Sequence, residues 1–351
     1  MLEVTGEKLF GQNKKIRRAN YEFTLLPYAE VDRYTGTGWP RSMAFPAMMS
    51  ALKLFLGLEE KKTGKGRQIN NDEEYILQAA ITTESFRFSS SPPIPLEDSF
   101  LLYGYTYETL KKREYGEAEI VHLAFEEIRK GYPVIIQPES YSDMILALGF
   151  SYEGETLRGL GFLDGDDKKN SAVCFNHLKE YTDWYKEDCT ILKIRPSDCR
   201  ISKKEAAVRA LRRGCELITN SRTEQTNPLR GHGTDIYLNW IYLLEKDNGV
   251  RNAKIDHMFP YIFILYENKM RLMEFLQMCR VLVPDMNAEI LEEAIADYDS
   301  ICNRSKHIIR IFMNEEMEDR KVNEKRTEII RLLYECKEKE EQAVNCLRTE
   351  L

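Results

Sequence analysis

The sequence predicts an α+β protein in two parts: an N-terminal helix followed by an antiparallel sheet, then a region that is helical to its end. Three observations predict it. A face of apolar residues three and four apart runs through residues 41–57, β-prone runs separated by turn residues fill 134–194, and helical periods dominate from 202 onward. The change of pattern near residue 200 divides the chain into a core, 1–200, and a helical domain, 201–351.

In the first helix Phe45, Met48, Met49, Leu52, Phe55 and Leu56 share one face, Pro46 suits the first helical position, and Gly57 suits the stop. A charged loop, 59–70, leads to a second helix over 72–80 that Asn71 can cap. Residues 118–130 form a third helix closed by Gly131. Strands follow at Val134–Ile136, Met144–Phe150 and Leu157–Leu163, separated by turn chemistry at Glu153-Gly154 and Asp164-Gly165. Shorter runs at 172–175 and 190–194 extend the sheet.

Beyond 200, Ser202 and Glu205 carry a capping-box signature ahead of a helix over 206–218. A further helix covers 235–245, after Gly231-His232-Gly233. The stretch 261–283 is apolar nearly all round, as a central helix should be. Leu291, Ala294, Tyr298, Ile301, Ile308 and Ile309 trace a broad apolar stripe. The last helix is charged, with a thin stripe at Ile329, Ile330, Leu333 and Cys336. That thin stripe predicts packing on the 261–283 helix, with homodimerisation through this region as the alternative.

A chain of 351 residues with 43% hydrophobic and 30% charged residues has the composition of a soluble globular protein. The net charge of −7 gives no attraction to nucleic acid or to an anionic membrane. The N-terminus lacks an apolar signal segment, and the most apolar run, 259–266, is too short to span a bilayer, so the expected location is cytoplasmic. The eight cysteines, with no CxxC pair, read as reduced, buried hydrophobes. The five histidines show no ligand spacing, so no metal or cofactor is expected.

A helix N-terminus suits a nucleophilic cysteine, because free N–H groups and the macrodipole lower the thiol pKa, and a histidine on a neighbouring strand then serves as base. Ala44-Phe45-Pro46-Ala47 with Gly57 resembles the Cys-Gly-Pro-Ala helix start of the bacteriocin-processing double-glycine peptidases, which are papain-like. Residues 127–136 followed by Asp143–Gly149 look like the strand pair of that group, whose second strand opens on a histidine. Arg209–Cys215, Gly231-His232-Gly233 and the helix containing Trp240 are similar to a region of the butirosin-biosynthesis acyltransferase family, which transfers an acyl group from a carrier protein to an amino sugar.

The resemblance implies a papain-like core in residues 1–200 and a cleft, but not the chemistry. Ala44 stands at the nucleophile position, Asp143 at the base and Gly38 where an oxyanion-hole glutamine is expected; only Asp164, near the orienting carboxylate, is kept. These departures predict a degenerate, non-catalytic protein. Its expected ligand is an amine- or carbonyl-bearing small molecule or a peptide, bound by Trp39, Arg41, Ala44, Tyr141 and Asp143, with a carrier protein as a further partner. Two alternatives stand beside it: an active acyltransferase or hydrolase using Asp143 with His232 or Tyr141, and a structural or regulatory protein that self-associates through its helices.

Overall fold

The computed structural model describes residues 14–18, 21–25, 48–49, 52, 56, 73–87, 96–138, 144–151, 156–161, 177–223, 231–246, 253–313 and 319–351. The protein is α+β, with one large antiparallel sheet and a helical C-terminal region. The chain divides into a sheet unit, residues 1–78 and 97–201, and a helical unit, residues 79–96 and 202–351. Residues 79–96 therefore group with the helices, although they lie well before the change of pattern near 200.

The sheet unit is built on strand β5 (Ile145–Ser151). One edge of β5 pairs with β6 (Thr156–Gly161), which pairs with β7 (His177–Thr182). The other edge is shared: β4 (Val134–Pro138) pairs over Ile145–Ala147, and β2 (Tyr21–Leu25) pairs over Gly149–Ser151. The hairpin partner of β2 is β1 (Lys14–Arg18), while β4 continues to β8 (Cys189–Pro196) and then to β3 (Tyr105–Lys111). A register shift between Ala147 and Gly149 gives β5 a bulge opposite β6, just where its other edge changes from β4 to β2.

The expected strands at 134–136, 144–150, 157–163 and 190–194 correspond to β4, β5, β6 and β8. Strands β1, β2, β3 and β7 were not anticipated, so the sheet begins ahead of the first expected helix rather than after it, and the run at 172–175 lies outside the described residues. Val134, Ile135, Ile136, Leu146 and Ala147 have no exposed surface, as expected for strands buried on both faces.

Helix α1 (Glu73–Ile81) and helix α2 (Glu97–Tyr103) precede β3, and α3 (Glu117–Arg129) packs on β4, β5 and β8. Ile120, Ala124 and Ile128 form the buried face of α3, and Phe125 stacks on Phe150 with ring centres 4.0 Å apart. The α3 stop is the expected one: Gly131, at φ 100°, accepts a left-handed conformation costly to other residues, and Tyr132 N–H caps Glu127 O at 3.0 Å. Glu127, also on the buried side of α3, accepts from Arg195 of β8 and from Lys130. These donors hold its carboxyl below the usual range against the opposing effect of burial. Of the first expected helix, Met48, Met49, Leu52 and Leu56 are described. The first three are helical, Leu56 N–H bonds Leu52 O at 2.9 Å, and all four are buried.

The helical unit contains α4 (Lys203–Thr219), α5 (Asp235–Lys246), α6 (Ala253–Leu282), α7 (Ala288–Met313) and α8 (Asp319–Arg348). Ser202 caps α4 by accepting from Glu205 N–H at 3.1 Å, while the Glu205 side chain turns to Arg209 and leaves the capping box half formed. Helix α7 packs along both α6 and α8, so the central helix is the broad stripe at 288–313 rather than the apolar run at 261–283. The last helix lies chiefly on α7, with α5 and α4 along its sides. Steps of three and four run through Ile262, Leu265, Lys269, Leu272 and Leu276 of α6, and through Leu291, Ala294, Tyr298, Ile301 and Ser305 of α7. The same steps continue through Ile329, Leu333, Cys336, Glu340 and Ala343 of α8, and all of these positions are buried.

A short turn, Glu84–Phe86, packs on α6 and α4 of this unit. Gly214 of α4 lies directly under the Phe86 ring, and an added Cβ would overlap it. Among the described residues, no helix is long and apolar enough to cross a membrane. We predict that Gly214→Ala lowers stability by about 1–3 kcal/mol, the usual cost of overpacking a core. Chemical denaturation measures it, and Phe86→Leu, which makes room for the new methyl, should recover part of the loss.

Candidate functional site

Trp39, Arg41, Ala44, Tyr141, Asp143 and Asp164 lie outside the described residues. Their described neighbours are Met48 and Met49, helical and buried, and Met144, 5% exposed, after which β5 begins at Ile145. Tyr103 of α2 donates to Met49 O at 3.2 Å, tying α2 to the helical residues that follow Ala44. The pairs Gly231↔Thr223 and His232↔Arg222 form a two-stranded ribbon, β9 (Arg222–Thr223) with β10 (Gly231–His232), directly before α5.

Four buried cysteines are poorly suited to nucleophilic chemistry. Burial pushes Cys215, Cys279 and Cys302 up to about 12 and Cys336 higher still, so each stays a neutral thiol. Cys346, half-buried beside Glu293, is also raised, by partial burial and then by that carboxylate. Among the described residues no group of His, Cys, Asp and Glu side chains is arranged to hold a metal ion.

Among the described residues the densest polar chemistry lies inside the helical unit, at residues that are not among the candidates named from the sequence. Lys269 of α6 and Glu340 of α8 are both fully buried and form an ion pair at 2.5 Å. Tyr237 of α5 donates its hydroxyl to the other Glu340 oxygen at 2.8 Å. The Lys269 ammonium also donates to Phe86 O at 3.1 Å and stands 5.9 Å above the centre of the Tyr298 ring. Next to it, Asn268 donates to Arg87 O at 3.2 Å. One α6 dipeptide thus holds two successive carbonyls of the Thr82–Arg87 turn.

Burial drives the Glu340 carboxyl up and the Lys269 ammonium down, and their mutual attraction opposes both shifts. Burial and the nearby carboxylate keep Tyr237 a protonated donor, its pKa well above the usual value. Every group named is at most 4% exposed, so the arrangement acts as an internal clamp rather than a surface that meets substrate. Its signal in the sequence was register: Lys269 and Glu340 occupy core positions of the three-and-four pattern, where a charge has meaning only beside its opposite.

A search of protein-family models and of curated proteins finds no match to the chain. We predict that Tyr237→Phe costs about 1.5–3 kcal/mol, the worth of a hydrogen bond to a charged acceptor, because Glu340 loses its second donor in a site without solvent. Urea unfolding reads this loss. A change below about 0.5 kcal/mol would show the hydroxyl to be dispensable.

Proposed function

We propose that the chain is a degenerate papain-like protein. It has kept a ligand cleft and lost the thiol chemistry, and it binds an amine- and carbonyl-bearing small molecule or peptide end at Trp39, Arg41, Ala44, Tyr141 and Asp143. The observation that carries the reading is the start of β5. This strand lies between β4 and β6 of an antiparallel sheet and opens two residues after Asp143, where the resembling families place the base. Further support comes from the chain order, in which the buried helical residues Met48, Met49 and Leu52 come before strands β3 to β8, although the hairpin β1–β2 precedes them, and from the raised thiols of the buried Cys279 and Cys302.

The physical logic of the ligand follows from the substitutions. Replacing a cysteine by alanine removes the reactive atom but leaves the free N–H groups of a helix start, which favour an anion or a carbonyl oxygen. Asp143 in place of a neutral base favours an amine or hydroxyl donor. A molecule carrying both groups, such as an amino sugar or a peptide end, satisfies both.

Rebuilding the dyad tests the geometry and the ligand together. In Ala44→Cys/Asp143→His, iodoacetamide labelling of residue 44, followed by peptide mass spectrometry, should show a thiol pKa below about 7.5, the range of histidine-paired or helix-start cysteines. An ordinary thiol profile near 8.5, unchanged by His at 143, would contradict the papain-like arrangement. In the Ala44→Cys protein, millimolar glucosamine or dipeptide should slow labelling. A paired, low-pKa thiol without such protection would leave the fold reading standing and refute the ligand.

A further inference from the structure

The chain visits the helical unit once before it settles there. Ala79–Leu96 group with α4–α8, while the segments on either side, through Gln78 and from Glu97, belong to the sheet unit. The continuous described stretch that opens this visit ends in the Thr82–Arg87 turn, every residue of which is at most 5% exposed. Phe86 anchors it, set against Gly214 of α4 and edge-on to Phe275 of α6 with ring centres 6.5 Å apart. Thr83, a β-branched residue, is held in the left-handed region at φ 61°, a conformation that persists only where the surroundings impose it.

The turn also buries an acid. Glu84 is 5% exposed, and its Oε2 has no hydrogen-bond partner. Among the described residues, the charged groups facing the turn are Arg87 within it and Lys269 from α6, backed by Glu340 from α8; α4 meets it with Gly214. Arg87 directs its Nε and Nη2 to Thr83 Oγ1, at 3.2 and 3.1 Å, and Lys269 is committed to Phe86 O and Glu340. An ionised Glu84 would therefore leave a charged oxygen buried and unsatisfied, whereas the neutral acid removes that cost.

We propose that the Thr82–Arg87 turn is a proton-controlled latch, docked on the helical unit while Glu84 is neutral and released when the carboxyl gives its proton to solvent. Burial, opposed by Arg87, pushes the docked acid up to about 8 from an ordinary value of 4.5. Because the docked pKa is the higher one, docking is strongest below the ordinary value and weakens as pH rises. Release therefore grows roughly tenfold per pH unit between the two values and levels off above the docked one. The clamp of Lys269 and Asn268 on the turn's carbonyls sets how far this equilibrium favours the docked form.

Hydrogen exchange of the full chain between pH 5.5 and 9, corrected for the intrinsic pH dependence of exchange, tests this on the peptide spanning Thr82–Arg87. The wild-type protein should show opening that rises about tenfold per pH unit and flattens near 8. Glu84→Gln, which cannot ionise, should remove the slope while α7 peptides stay unaffected in both proteins. A flat wild-type profile overturns the latch, and so does an equal slope in Glu84→Gln or a slope shared by α7, which would report unfolding of the whole unit. If the variant does not fold, the wild-type profile of the turn against that of α7 still decides.

Discussion

The helical unit depends on one buried charge pair. Lys269 and Glu340 sit where a helical core ordinarily places leucine, on two helices that each pack against α7, and they gather around them Tyr237, Tyr298 and the backbone of the Thr82–Arg87 turn. An ion pair of this kind adds little net stability over an apolar pair of the same shape, because both charges must be taken out of water. What it supplies is register. A shift of α8 by one turn along α7 would bury Glu340 without its ammonium and leave Lys269 facing hydrocarbon, a cost of several kcal/mol that slipped alternatives cannot recover. Gly214 under Phe86 and the left-handed Thr83 are steric details of the turn that the pair holds.

The legibility of the sequence follows the same physics. Helices with one apolar face, α3, α4 and α7, were read to within a few residues, since a one-sided face has a period that burial enforces. Strand β4 was equally plain because a buried β-branched run has few other homes, and β5 and β6 were legible as short apolar runs bounded by the turn residues Glu153-Gly154 and Asp164-Gly165. The stretch between Ala80 and Gly116 gave nothing. Its helix α2 is only seven residues long, and Tyr105–Lys111 alternates between half-buried and exposed residues without a strong apolar side. The stretch 261–283 reads as central because it is apolar nearly all round, yet the helical unit centres on α7, which packs along both α6 and α8.

The clamp was illegible for a different reason. Glu340 lies in the run Lys337–Glu341, which composition reads as a solvated face, and Lys269 lies among Glu267, Arg271 and Glu274. Charge content says exposed; only the three-and-four register says buried, and it does so on two helices whose paired residues lie 71 positions apart. The candidate ligand residues present the reverse case. Ala44 and Asp143 were legible only through resemblance to papain-like enzymes, because an alanine and an aspartate carry no chemistry of their own that singles them out.

A double-mutant cycle on Lys269→Met and Glu340→Gln, followed by urea unfolding at neutral pH, tests the central role of the pair most directly. Each single change strands one buried charge and should cost about 3–5 kcal/mol, whereas the double change should cost less than either alone, a coupling of about 3 kcal/mol or more. Additive losses, with coupling below about 0.5 kcal/mol, would show that the two charges do not depend on one another and that another feature organises the helical unit.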